Sequence, residues 1–289
     1  MTDIIVDAIV DSLKLFPFLF LIYAVIEVLE HNTAIGKKGG VLQGNLAPFL
    51  GALTGIVPQC GFSVMSAKLY DRKLIRTGTI LSVFIATSDE AIIILLSDGT
   101  KALSVLPLIG LKLLLAVIVG YAANAFLKHE RLDRTEEPIG ACCEECDDCA
   151  RVGNGFIERY ILTPLYHSLK IFFFILAVNL VFGFVFYFAG EEQISAFLQR
   201  GYVFQPFLTA LVGLIPNCAS SVILTQTYIL GGISFGGLFA GLCSNAGLGL
   251  VVLFKNPKNL KKNCLMVLVL YTVGTAAGLI IDLYCRLAM

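Results

Sequence analysis

The chain has 289 residues, of which 57% are hydrophobic and only 15% charged; its mean hydropathy is +0.84 and its formal net charge is zero. A soluble domain of this size needs more polar surface, and a neutral chain lacks the basic patch that nucleic acid requires. Apolar runs at 13–28, 161–189 and 264–281 approach or exceed the ~20 residues that carry a helix across a bilayer, and their continuity, without alternation, excludes a β-barrel.

The N-terminus carries Asp3, Asp7 and Asp11 and no basic region, so no cleaved signal peptide is expected. The first predicted helix ends near Glu27 and Glu30, and Lys37 and Lys38 follow in a loop whose "GKKGG" lacks the spacing of a nucleotide-binding loop. Two short apolar pieces, 43–57 and 60–70, flank Pro58, Gln59 and Cys60, with Ser63 three residues on. At ~12–15 residues they reach only about 18–23 Å as helix, short of the ~30 Å hydrocarbon core. A basic loop with Lys68, Arg72, Lys73 and Arg76 leads to a helix expected over 77–97, which carries Ser88, Asp89 and Glu90 in "ATSDEAIIILL". Ionisable residues inside a span cost roughly 2.5–3.5 kcal/mol each near its centre and persist where they serve an ion, a proton or a partner. Lys112, on the next helix, would otherwise pair with Asp89 or Glu90 as a structural ion pair.

Residues 128–160 form a polar linker containing "CCEECDDC", with Cys142, Cys143, Cys146 and Cys149 between acidic residues. In the cytoplasm these thiols stay reduced. The run can supply three or four thiolates to a soft ion but lacks the second cysteine pair of a folded zinc module; a solvated acidic linker is the competing reading. His31, His129 and His167 are too dispersed to form a metal site by themselves.

Beyond the linker the pattern starts again. Residues 48–64 and 206–222 are identical at ten of seventeen positions at an offset of 158, and the same offset pairs Gly78 with Gly236, Gly120 with Gly278 and Asn124 with Asp282. An offset of 156 pairs "DSLKLF" at Asp11 with "HSLKIF" at His167. The second Pro-Cys motif holds Pro216, Asn217, Cys218 and Ser221 between pieces 202–215 and 218–230. The counterpart of the acidic segment is "SNAGLGL", where Ser244 and Asn245 align with Ala86 and Thr87, so the acidic pair has no acidic mate.

Loop charge gives the orientation, because Lys and Arg collect on the cytoplasmic side. Lys37 and Lys38 correspond to a loop with Glu191, Glu192 and one Arg200. The basic loop 68–76 corresponds to the uncharged turn at Gly231-Gly232, whereas the neutral loop at Asp98 and Lys101 corresponds to Lys255, Lys258, Lys261 and Lys262. Opposite charge in equivalent loops is the signature of an inverted-topology repeat. The expected architecture is therefore an all-α polytopic membrane protein of about ten apolar segments. Repeat one spans 1–127, a cytoplasmic linker 128–160, and an inverted repeat two 161–289, with both termini outside. Each repeat has three long helices and a broken hairpin, which either re-enters or spans as short tilted pieces.

Non-helical backbone at membrane depth survives only against protein or a water-filled cavity, and a broken helix there is the usual make-up of a transporter's substrate site. Thiols suit soft ions; amides, hydroxyls and carboxylates suit harder ones. The expected transport site combines Cys60, Cys218, Asp89 and Glu90 with Pro58, Gln59, Ser63, Pro216, Asn217, Ser221, Ser88 and Asn245.

The segments "GIVPQCGFSVMSAKLYDRKLIRTGTILSVFIATSDEAI" and "LTALVGLIPNCASSVILTQTYILGGISFGGLFAGLCSNAGLGLVVLF" resemble the ten-segment heavy-metal exporters, which include arsenic efflux proteins and manganese transporters. The resemblance covers roughly residues 10–285. It implies a bacterial inner-membrane exporter related to the arsenical permeases. The family's linker often mixes His with Cys, and this one has no His within 135–155.

The expected function is secondary active export of a metal or metalloid ion, Mn²⁺ or arsenite-type, by alternating access. Protons are the candidate coupling ion, a homodimer is compatible, and no cofactor or catalytic residue is expected. The alternative is a transporter of a small organic anion or amino acid, whose acid group would suit the half-helix N-termini. A membrane enzyme with Cys60 or Cys218 as nucleophile ranks last, since no His base accompanies either.

Overall fold

The computed structural model describes residues 46–58, 60–71, 73–88, 90–99, 101–127, 204–255 and 260–288, together with position 44 and scattered helical positions within 13–20 and 165–181. The described residues are helical with no strand. The chain divides into two compact units. One comprises 1–44 and 132–185; the other comprises 45–131 and 186–289.

In the larger unit, repeat one contributes α1 (Ala47–Gly55), α2 (Cys60–Asp71), α3 (Thr77–Ala86), α4 (Ala91–Ser97) and α5 (Val105–Phe126). A 3-10 turn, Ala102–Ser104, precedes α5. Repeat two contributes α6 (Gln205–Gly213), α7 (Cys218–Ile229), α8 (Phe235–Ser244), α9 (Leu248–Phe254) and α10 (Leu260–Ala288). Both α1 and α6 begin with proline in the first turn, where the missing N–H does no harm. The short pieces on either side of Pro58 and Pro216 thus fold as expected.

The following helix does not. Residues 77–97 were expected as one continuous span, and instead α3 stops at Ala86. Thr87 and Ser88 leave the helical conformation, and Glu90 becomes the N-cap of α4. Repeat two breaks at the same place, between Ser244 and Leu248. Gly247 sits there at φ +56°, ψ −149°, a conformation open essentially to glycine alone. Asn245 Oδ1 accepts from the Gly247 N–H at 2.9 Å, closing a local turn that competes with the helix. Gly247→Ala is therefore expected to destabilise the protein by about 1–3 kcal/mol, read as a lower melting temperature of the purified protein.

Four described stretches are long and apolar enough to cross a membrane: Thr77–Ser97, Ala102–Phe126, Phe235–Phe254 and Leu260–Leu287. The two interrupted ones are 76% and 89% buried; the two long ones, 22% and 28%. The broken helices therefore form the centre of this unit. Leu114, Ile118, Leu268 and Ile280 of the long helices stay exposed, as lipid-facing side chains would be.

Packing within each repeat is the same. α1 lies on α3 and α5 as α6 lies on α8 and α10, and α3 lies on α5 as α8 lies on α10. The crossings use small residues. Gly78 meets the backbone of Gly120, and Gly236 meets that of Gly278. Close approach through small residues is how helices associate in lipid, where the hydrophobic effect does not drive them together. A polar tie reinforces each crossing. The Gly78 N–H donates to Asn124 Oδ1 and the Gly236 N–H to Asp282 Oδ1, both at 3.0 Å.

Between repeats the contacts are reciprocal. α2 packs on α9, and its counterpart α7 packs on α4. α3 packs on α8, its own counterpart, while α3 touches α10 as α8 touches α5. Element i of one half meeting j of the other, with j meeting i, marks a two-fold relation. In the smaller unit, one pair of equivalent residues also meets. Phe16 and Phe172, equivalent at the 156-residue offset, meet edge to face with centroids 5.5 Å apart.

Candidate functional site

Each Pro-Cys motif lies between two helices of a hairpin. In repeat one, α1 ends at Gly55, Val57 N–H bonds back to the Thr54 carbonyl at 3.3 Å, and Pro58 is exposed. Cys60 is the first residue of α2. Ser63 is fully buried, and its carbonyl accepts from Ser66 Oγ at 2.9 Å. In repeat two, Pro216 is half-buried and Asn217 is the N-cap of α7, its Oδ1 accepting from the Ala219 N–H at 3.3 Å. An asparagine there satisfies an N–H that the helix start would otherwise leave open. The Asn217 carbonyl accepts from Ser220 Oγ at 2.7 Å, and Ser221 Oγ donates to the Cys218 carbonyl at 2.8 Å. Cys218 is half-buried.

The second helix of each hairpin packs on the broken helix of the other repeat. The approach is tight at Gly249 on α9, where an added Cβ would lie 2.7 Å from the Ser63 carbonyl oxygen and 2.8 Å from the Phe84 ring. Ser63 therefore stands beside the break that contains Asn245. Reciprocally, α7, which carries Cys218 and Ser221, packs on α4, which starts after Glu90. Each hairpin of one half is thus packed against the broken helix of the other.

Ser88 and Asn245, both 3% exposed, lie in the breaks. Ser88 Oγ reaches the Ala86 carbonyl at 3.4 Å. Glu90 is exposed. Gln59, Asp89 and the linker cysteines Cys142, Cys143, Cys146 and Cys149 lie outside the described residues, as does the side chain of Cys60. An apolar cavity of about 680 Å³ between α3, α5 and α10, bordered by Lys262, contains none of the candidate residues.

One residue with an evident place at the breaks was not among the expected site residues. Lys112, fully buried in α5, donates through Nζ to the carbonyl of Thr87, the C-cap of α3, and to that of Leu242 in the last turn of α8, the latter at 2.9 Å. Those carbonyls belong to helix ends and lack an intrahelical partner, and both ends carry the negative pole of the helix dipole. The sequence signal was a lone lysine within a 22-residue apolar helix, at the position where repeat two has Leu270.

Comparison with known families agrees with this architecture. The model of a family described as "Putative, 10TM heavy-metal exporter" matches residues 2–178 and 167–287. Neither the curated proteins nor the solved structures give a match. With buried broken helices, lipid-facing long ones and a family match over nearly its whole length, the chain belongs to the ten-span heavy-metal exporter family.

Proposed function

We propose that this protein exports a metal or metalloid ion by alternating access of two inverted repeats, binding it where each Pro-Cys motif meets the broken helix of the opposite repeat. The observation that carries this reading is the reciprocal packing of α2 on α9 and of α7 on α4. Such packing supports a site of polar, partly unwound backbone drawn from both halves, where an ion would lose its hydration shell against protein oxygens and sulfurs. The opposite loop charges support inversion, with both termini outside a bacterial inner membrane and the linker in the cytoplasm. Helices of 9 and 12 residues in the first hairpin span about 14 and 18 Å, which favours re-entrant hairpins over full crossings. Protons are the proposed coupling ion.

Four variants test the site, assayed by export of a panel of metal and metalloid salts from cells or proteoliposomes. For a soft, arsenite-type solute, Cys60→Ser and Cys218→Ser are each expected to reduce export at least ~10-fold, with smaller losses in Asp89→Asn and Glu90→Gln. For Mn²⁺ the order reverses, because that ion prefers carboxylate oxygens. Unchanged export in all four variants removes the site. Thermal stabilisation by small carboxylates and by no metal would replace the ion with an organic anion.

A further inference from the structure

We propose that Lys112 is a tethered ammonium, filling an ammonium-donor position built from the carbonyl ends of two broken helices, one from each repeat. The Thr87 and Leu242 carbonyls come from equivalent elements, the C-terminal ends of α3 and α8. These helices face each other across the two-fold relation between the halves. Two negative helix ends converging away from water require a positive group. A lysine ammonium supplies three donors and one charge from a flexible arm. The arm comes from α5 alone, since Leu270 takes its place on α10. A position shared by both halves is thus filled from one side, and Lys112 clamps the breaks at their crossing. Any rearrangement of α3 against α8 has to move or release that clamp, which makes Lys112 a positioning residue for whatever solute is carried.

Lys112→Ala removes three carbons and the ammonium, the shape of n-propylammonium. The purified variant is expected to melt at least ~5 °C below the parent. n-Propylammonium should restore about half of that loss, while tetramethylammonium, which has no N–H to donate, and sodium at matched ionic strength should restore none. The parent protein should respond to none of the three. Equal responses to propylammonium and tetramethylammonium, or an unchanged melting temperature in Lys112→Ala, would overturn the proposal. If the alanine variant cannot be purified, Lys112→Arg and Lys112→Met decide. An arginine variant that melts near the parent beside a destabilised methionine variant supports the tethered ammonium, and both behaving alike refutes it. Melting does not depend on the identity of the solute, so this test stands if the proposed export of a metal or metalloid fails.

Discussion

Gly78→Val and Gly236→Val are each expected to lose about 3 kcal/mol or more of stability, and the corresponding alanine variants about 1–3 kcal/mol. At Gly78 a Cβ would run into the Gly120 carbonyl oxygen and Asn124 Oδ1, and at Gly236 into the Gly278 carbonyl oxygen and Asp282 Oδ1. The obstacle in each case is main chain plus a side chain already committed to a hydrogen bond, so no rotamer change relieves it. The helices must separate, and with them goes the N–H tie to Asn124 or Asp282. Gly110 on α5 is the control: nothing lies within 4 Å of an added Cβ there, so Gly110→Ala should leave stability unchanged or raise it by up to about 1 kcal/mol. Thermal unfolding of the purified variants measures the contrast. A Gly78→Ala protein melting with Gly110→Ala would show that the crossing is looser than described.

The second large effect is expected at Asp282. Its Oδ1 accepts from the Gly236 N–H at 3.0 Å and its Oδ2 from Ser234 Oγ at 2.7 Å, which caps the start of α8 from outside that helix. Asp282→Leu leaves an N–H and a hydroxyl without their acceptor in a buried site, a loss of about 3 kcal/mol. Asp282→Asn should change stability by less than about 1 kcal/mol, because repeat one ties the equivalent glycine N–H with a neutral amide and the Ser234 hydroxyl can accept from the new amide N–H. Asn124 Oδ1 accepts from the Gly78 N–H at the same 3.0 Å. Melting temperature and export are read together. An Asp282→Asn protein as damaged as Asp282→Leu would mean that the carboxylate charge is required, which a capping role does not predict.

The duplication was legible in the sequence because it rests on repeated glycines, prolines and cysteines whose roles are stereochemical. The same pairs that fixed the 158-residue offset, Gly78 with Gly236 and Asn124 with Asp282, make equivalent contacts in the fold. The hairpin pieces were legible because Pro58 and Pro216 end helices wherever they occur inside them. The interruptions after Ala86 and Ser244 were not. The flanking segments are apolar, and the breaking signal is Asn245 with Gly247 in repeat two and polar residues alone in repeat one. A polar residue in such a run reads equally as a bound ion's ligand or as the end of a helix. Lys112 reads from sequence as an ionisable residue in a span that calls for an ion pair, because the helix-end carbonyls it binds arise only once the breaks exist. The pairing of each motif with the opposite break was hidden for a similar reason, since a sequence shows which elements are equivalent and not which of them touch.

Mirrored packing also means that every mutation has a twin. A change on α2 presses on α9, and its counterpart on α7 presses on α4 through the corresponding contact. Where the two versions of an experiment agree, the result reports the shared architecture. Where they diverge, as expected for Lys112 against Leu270, the difference isolates what the polypeptide has specialised since its halves were alike, with the comparison made inside a single molecule.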